Sequence, residues 1–170
     1  MKHIVEDNFL APEDLSNIQE LMFSNNIPMH YCDTVGHWKD KKQIGQYYFS
    51  LLLYQYPMGW QSKYAEAMQP ILKKLDAKAI CRIKINWYPR SEKITQHTPH
   101  VDQDFKCKSS LFYVNTNDGF TKIKDGNLKI GFYSIESVEN RVLHFDSSNP
   151  HFSTNCTDQN LRCTINFNYF

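Results

Sequence analysis

His100-Val101-Asp102 places an imidazole and a carboxylate two residues apart. Alternate side chains of an extended chain share a face, so both groups would point to the same side. A second histidine brought to that side completes a three-ligand set that leaves coordination positions open on non-haem iron. His151, after the Ser147-Ser148-Asn149-Pro150 turn, is the candidate. The triplet alone is a weak signal, because it also arises by chance as a surface histidine beside a solvated acid.

His144-Phe145-Asp146 has the same spacing. Only His151 lies downstream of it, and the short connection leaves no room for a separate strand to supply a third ligand. A structural role for His144 is therefore expected. His97, three before His100, could compete as a ligand or help position substrate, but a solvated loop histidine is the favoured expectation. Asp104 shares the parity of Asp102 and is an alternative ligand, but it breaks the two-residue spacing, which favours Asp102.

Arg162 opens the last strand-like run, with Thr164 on the same face and Cys163, Ile165, Phe167 and Tyr169 on the other. An arginine offers a planar fork that fits a carboxylate, and the Thr164 hydroxyl can donate to the same group. The plainer reading is a surface ion pair. If the side chain points inward, its burial is costly without an anionic partner. Asn86 and Tyr88 place two more hydrogen-bonding groups on one strand face before the His-x-Asp triplet, or else form a polar outer face.

These residues need a rigid frame, and the sequence outlines one. At 170 residues the chain fits one domain with a sizeable core. A short strand over His3 to Val5 is followed by a helix from Pro12 to about Phe23, with Leu15, Ile18, Leu21 and Met22 at helical spacing. A second helix is expected from Gln61 to Leu75 with a kink at Pro70. From Ala79 to Tyr88 the period changes to two, with Cys81, Ile83, Ile85 and Trp87 on one face and Arg82, Lys84, Asn86 and Tyr88 on the other. Further strands are expected over 111–115, 120–124, 141–145 and 162–169, with turns at Asn117-Asp118-Gly119 and Asp125-Gly126. Two helices followed by many short strands suggest a β-sandwich or jelly roll, mainly β with flanking helices packed on one outer face. Residues 26–60 hold His30, Tyr31, His37, Trp38, Tyr47, Tyr48, Tyr54, Tyr56 and Trp60. They fit either strands and loops over a cleft or the edge of a second small sheet.

Composition narrows the function classes. Nineteen basic against 18 acidic residues give a formal charge of +1, which provides no field for tight binding to nucleic acid or anionic lipid. The five cysteines show neither a CxxC pair nor zinc-finger spacing, which fits a reducing cytoplasm. Glu6 and Asp7 stand where a signal peptide would be apolar, and the uncharged stretch 44–62 is interrupted by Gln46, Ser50, Gln55, Pro57 and Gln61, so no secretion or membrane anchor is expected.

The ordered set Asn86-Trp87-Tyr88, His100-Val101-Asp102, 111–115 (Leu-Phe-Tyr-Val-Asn), 118–121 (Asp-Gly-Phe-Thr), 140–143 (Asn-Arg-Val-Leu), His151 and Arg162 resembles the prolyl-4-hydroxylase-like branch of the 2-oxoglutarate/Fe(II) oxygenases. It is similar above all to small members carried by bacteriophages. The likeness extends over nearly the whole chain, from Asp7-Asn8-Phe9-Leu10 to Thr164-Ile165-Asn166-Phe167-Asn168-Tyr169. It implies a double-stranded β-helix with a barrel core over 79–170, supported by residues 1–78. Fe(II) would be held by His100, Asp102 and His151, with 2-oxoglutarate and O2 as co-substrates and ascorbate as a candidate reductant. The far carboxylate of 2-oxoglutarate would meet Arg162, assisted by Thr164, Tyr88 and Asn86. The expected reaction is hydroxylation of a C–H bond coupled to decarboxylation to succinate, with a peptide or protein as substrate and peptidyl proline leading. A phage-encoded enzyme of this kind would work in the host cytoplasm. Prolyl hydroxylases of this branch often carry lysine where Arg162 stands, a departure that bears on the substrate. Asn86-x-Tyr88 also resembles a segment of the alkylation-repair oxygenases, which makes nucleobase demethylation the rival activity. A non-catalytic jelly-roll binding module is the rival of another class.

Overall fold

The computed structural model describes residues 3–35, 44–124 and 131–170. His37, Trp38 and the Asp125-Gly126 turn lie outside these. In chain order the elements are β1 (Ile4–Glu6), α1 (Pro12–Met22), β2 (His30–Cys32), β3 (Tyr48–Gln55), β4 (Gly59–Trp60), a 3-10 helix (Lys63–Met68) and α2 (Gln69–Leu75). They continue with β5 (Ile80–Pro89), β6 (Lys108–Tyr113), β7 (Asn117–Lys124), β8 (Phe132–Ser137), β9 (Arg141–Asp146), β10 (His151–Ser153) and β11 (Leu161–Tyr169).

Proline in the first turn of α1 forfeits no intrahelical hydrogen bond, and Glu13 and Asp14 complement the positive end of the helix dipole. Ile18 and Met22 are buried, one turn apart. The single kinked helix expected over 61–75 is instead two elements. Pro70 lies in the first turn of α2, and a 3-10 segment capped by the Ser62 side chain precedes it. The proline has no N–H for an α-helical bond to the preceding turn, so a new helix starts there.

The larger antiparallel sheet runs β1-β9-β6-β11-β5-β3-β2, with β4 paired to β3, and the smaller runs β10-β7-β8. The two sheets face each other as in a jelly roll: Arg162 on β11 hydrogen-bonds Ser137 on β8 and Thr121 on β7. Of the two readings of residues 26–60, the edge of a second small sheet is not observed among the described residues. β3 pairs with β5, with Leu51 opposite Ile85, and so extends the main sheet. Burial drives this placement, because Leu51 and Leu53 join the core beneath the helices.

That core lies on the outer face of the larger sheet. Ile18, Met22, Ile71 and Leu75 from the helices pack with Ile83, Ile85, Phe112, Cys163, Ile165 and Phe167 from β5, β6 and β11. Fully burying such a side chain contributes about 1.5–3 kcal/mol. The opposite faces of β5 and β11 thereby turn into the space between the sheets.

Asn117-Asp118-Gly119 does not separate two strands. Gly119 N–H bonds the Asn117 side chain at 3.0 Å, as in a turn, but the local loop is absorbed as a register shift within β7. At Gly119 an added Cβ would lie 2.5 Å from the Asn155 carbonyl oxygen and 2.6 Å from Arg162 Cδ. The missing side chain makes room for the arginine stem. Gly119→Ala is expected to lower stability by about 1–3 kcal/mol, typical of overpacking. Equilibrium urea denaturation checks this, and an unchanged midpoint would contradict the close approach.

Candidate active site

His100 and His151 meet through the backbone. Each N–H bonds the other's carbonyl at 2.9 Å, forming an isolated bridge that sets the two rings 4.5 Å apart. Asp102 follows in the same extended stretch, its N–H bonded to the Ser147 carbonyl. One ligand atom from each of His100, Asp102 and His151 lies within 4.8 Å of the others. His151 Nδ1 is 3.0 Å from the Asn149 carbonyl and His100 Nδ1 is 3.3 Å from that of Thr98. A carbonyl partner requires a proton on Nδ1, which leaves Nε2 as the lone-pair donor. Two imidazoles that present Nε2 and a carboxylate suit a divalent transition metal with open positions.

The Asp102 carboxylate is held from several sides. Oδ1 accepts from Arg82 Nη2 at 2.7 Å, Oδ2 from Ser109 at 2.8 Å and Asn168 at 3.1 Å, and Asn166 spans both oxygens. Oδ1 also faces His151 Nε2 at 3.9 Å. Burial opposes its charge, but His151, Arg82 and the Asn166 hydrogen bond outweigh burial and hold the carboxyl well below the usual range. Burial and the adjacent His151 push His100 down to about 3, so it stays neutral.

Beyond the triad, the guanidinium of Arg162 is fully buried. Nε donates to Ser137 at 2.8 Å, Nη2 to Thr121 at 3.0 Å and Nη1 to the Thr154 carbonyl at 3.2 Å. The rings of Tyr88 and Tyr113 flank it at 5.3 and 5.7 Å. Among the described residues no carboxylate lies within ion-pair distance. A buried cation that meets neutral oxygens and tyrosine faces favours an incoming anion. Asn86, Tyr88, Thr164, Arg162, His100, Asp102 and His151 line one cavity.

All seven residues singled out from the sequence thus converge, and the polar face of β5 is an inner wall rather than an outer surface. His97 differs from expectation. It is 2% exposed, its Nδ1 is 2.9 Å from Ser153 Oγ, and its ring stacks on Tyr88. Pairing of Gln96 with Thr154 and of His100 with His151 draws the segment between them under the strand. His144 lies elsewhere, against Ser110, Glu6 and Phe9, and Asp104 is exposed. Sequence reading missed Tyr113, Thr121, Ser153 and the Asp102 clamp. Asn166 and Asn168 carry the parity of Arg162, and Arg82 and Lys84 that of Asn86, so alternation was the available signal.

Neither a protein-family model nor a curated protein matches the sequence. Solved structures do match. A Trichoplax adhaerens prolyl hydroxylase, in complex with a hypoxia-inducible-factor oxygen-degradation-domain peptide fragment, superposes with a TM-score of 0.69 at 16% identity over 99% of this chain and 83% of its own. An oxidoreductase of the 2OG-Fe(II) oxygenase family from Burkholderia pseudomallei gives 0.70 at 11% identity, covering 98% and 84%. A Pseudomonas putida prolyl-4-hydroxylase gives 0.61 at 11%, covering 98% and 91%. The fold is that of the 2-oxoglutarate/Fe(II) oxygenases. The jelly roll expected from the sequence is therefore present along almost the whole chain.

Burial holds His97 neutral as well, with its pKa pushed down to about 3 by desolvation first and the Arg162 charge second. The unfolded chain binds a proton at each of these two histidines near pH 6.5, and the folded protein does not. Stability is therefore full above that pH and falls as the pH drops toward 3, by up to about 1.4 kcal/mol per pH unit for each histidine. In metal-free protein, His97→Gln should make this fall shallower between pH 6 and about 4.5. Urea denaturation across that range measures it, and an unaltered slope would mean that His97 is not held neutral by burial.

Proposed function

We propose that this chain is an Fe(II)- and 2-oxoglutarate-dependent oxygenase that hydroxylates a C–H bond, with peptidyl proline as the leading substrate. The observation that carries the reading is the buried Arg162 guanidinium, which has no acidic partner among the described residues, in the same cavity as the His100-Asp102-His151 cluster. A dicarboxylate keto acid satisfies both ends of such a cavity.

His100, Asp102 and His151 would hold the metal, which when bound supplies the oxidative chemistry of the keto acid and the substrate C–H bond. The protein's part is position and exclusion of water. The Asn149 carbonyl keeps the His151 proton on Nδ1, and Arg82, Ser109, Asn166 and Asn168 fix the carboxylate plane. Arg162 would take the far carboxylate through its fork, with Thr164, Tyr88 and Asn86 completing the wall. The stacked rings of Tyr48, Tyr88 and His97 close one side against solvent.

The peptide reading is supported by the two prolyl hydroxylases among the structural neighbours, one of them bound to a peptide fragment. Tyr31, Tyr56 and Trp60 are 63%, 69% and 49% exposed in the aromatic segment, and such faces suit proline rings and extended peptides. No helix among the described residues is long and apolar enough to cross a membrane.

Anaerobic addition of Fe(II) and 2-oxoglutarate should produce a weak visible charge-transfer band, which requires the metal, the keto acid and their direct contact. His100→Ala, Asp102→Ala and His151→Ala should each lose it, whereas His144→Ala should keep it. Arg162→Ala should retain iron but weaken 2-oxoglutarate binding by about 2–5 kcal/mol, and Arg162→Lys should recover part of the loss. Unchanged affinity in Arg162→Ala would move the carboxylate site elsewhere. Iron-loaded protein is then offered proline-rich peptides, methylated single-stranded oligonucleotides and free amino acids with 2-oxoglutarate and oxygen. A gain of one oxygen on the peptides with succinate release is expected. Formaldehyde from the oligonucleotides with untouched peptides would instead assign the nucleobase activity.

A further inference from the structure

Strand register orders the inner wall of the cavity into rungs. Arg162 pairs with Tyr88, Thr164 with Asn86, Asn166 with Lys84 and Asn168 with Arg82. Each rung is about 6.7 Å along the strand, so Lys84 stands two rungs, about 13 Å, from Arg162. A five-carbon diacid anchored at Arg162 covers about one rung. It ends short of the Lys84 level.

Lys84 lines the same cavity as His100, Asp102 and His151. Its Nζ lies 3.1 Å from the Tyr48 hydroxyl and 5.2 Å from the centre of that ring. Among the described residues no carboxylate is within ion-pair distance of it. Asp102, the acid lining this cavity, already accepts from Arg82, Ser109, Asn166 and Asn168. Among the described residues, Arg82, Lys84 and Arg162 stand against the one carboxylate of Asp102, a balance that stays positive when a divalent metal and a dicarboxylate are added together. An ammonium so placed gains most from an anion delivered with the substrate.

We propose that Lys84 and the Tyr48 hydroxyl form a second anion receiver, which selects a substrate carrying a carboxylate close to the carbon that is oxidised. The inference rests on the oxygenase reading for where the co-substrate lies. Lys84 supplies the charge, and Tyr48 donates its hydroxyl proton to the ligand while accepting from the lysine. Burial and the neighbouring Cys32 push the Tyr48 phenol up to about 12, so it keeps that proton at neutral pH. Burial and Arg82 lower the lysine's own pKa, and a bound carboxylate opposes both effects. If the substrate is a peptide, the receiver calls for an acidic residue beside the modified one.

The test compares acetate with acetamide, which have similar size and differ in charge, by anaerobic calorimetry on protein loaded with Fe(II) and 2-oxoglutarate so that Arg162 is occupied. Wild-type protein should bind acetate about tenfold more tightly than acetamide. Lys84→Met should abolish the difference, Lys84→Arg should preserve most of it, and 2-oxoglutarate affinity should stay within about twofold in both variants. Equal binding of the two probes to the wild type overturns the proposal, as does an acetate preference that survives Lys84→Met and so belongs to the metal. A tenfold loss of 2-oxoglutarate affinity in Lys84→Met overturns it too, by assigning the lysine to the co-substrate. Failure of the oxygenase reading itself shows separately, as absence of the charge-transfer band. The acetate and acetamide comparison on metal-free wild type and Lys84→Met then still decides whether Lys84 receives an anion.

Discussion

β11 is buried on both faces, and its pleat separates two chemistries that cannot share a side. Cys163, Ile165, Phe167 and Tyr169 enter the apolar core beneath the helices, while Arg162, Thr164, Asn166 and Asn168 enter the space between the sheets. A slip of one residue would put a guanidinium into hydrocarbon and four apolar groups into a polar cavity. Pairing with β5 on one side and β6 on the other locks the register. The site inherits its precision from that lock, because the buried Arg162 guanidinium and the amides that hold Asp102 lie on a single strand.

The inner face is electrostatically lopsided. Asp102 faces Arg82 directly, whereas Arg162 meets neutral oxygens and two tyrosine rings, with no carboxylate of the described residues within ion-pair distance. A cation kept from water in this way costs stability unless something offsets it. Gly119 marks the same cost in steric form, since the strand facing Arg162 gives up a side chain to let the arginine stem pass. Features that weaken a fold without a packing benefit fit the anion proposed to bind at Arg162.

The three structural neighbours described above share this architecture at 11–16% identity. Such divergence is compatible with one fold because a jelly roll demands a pattern of alternating burial, not particular residues. Side chains that line the cavity without joining the apolar core, such as Lys84, are not prescribed by that burial pattern and are free to differ.

Local rules made much of this legible. The two-residue spacing of His100 and Asp102, the alternation along 79–88 and 162–169, and the proline-led helix at Pro12 follow from pleat and helix periods that any short window reveals. Asparagines 166 and 168 were readable as companions of Arg162 by the same parity. Parity, however, tells which residues share a face and not whether that face looks at water, a helix or a cavity. That decision belongs to the packing of whole elements. It turned Arg82, Lys84, Asn86 and Tyr88 inward, drew His97 out of solvent, and sent β3 to the main sheet. It also joined His151 to His100 through hydrogen bonds across fifty residues of chain, which no local pattern encodes, because those bonds form only once the two sheets have closed on each other.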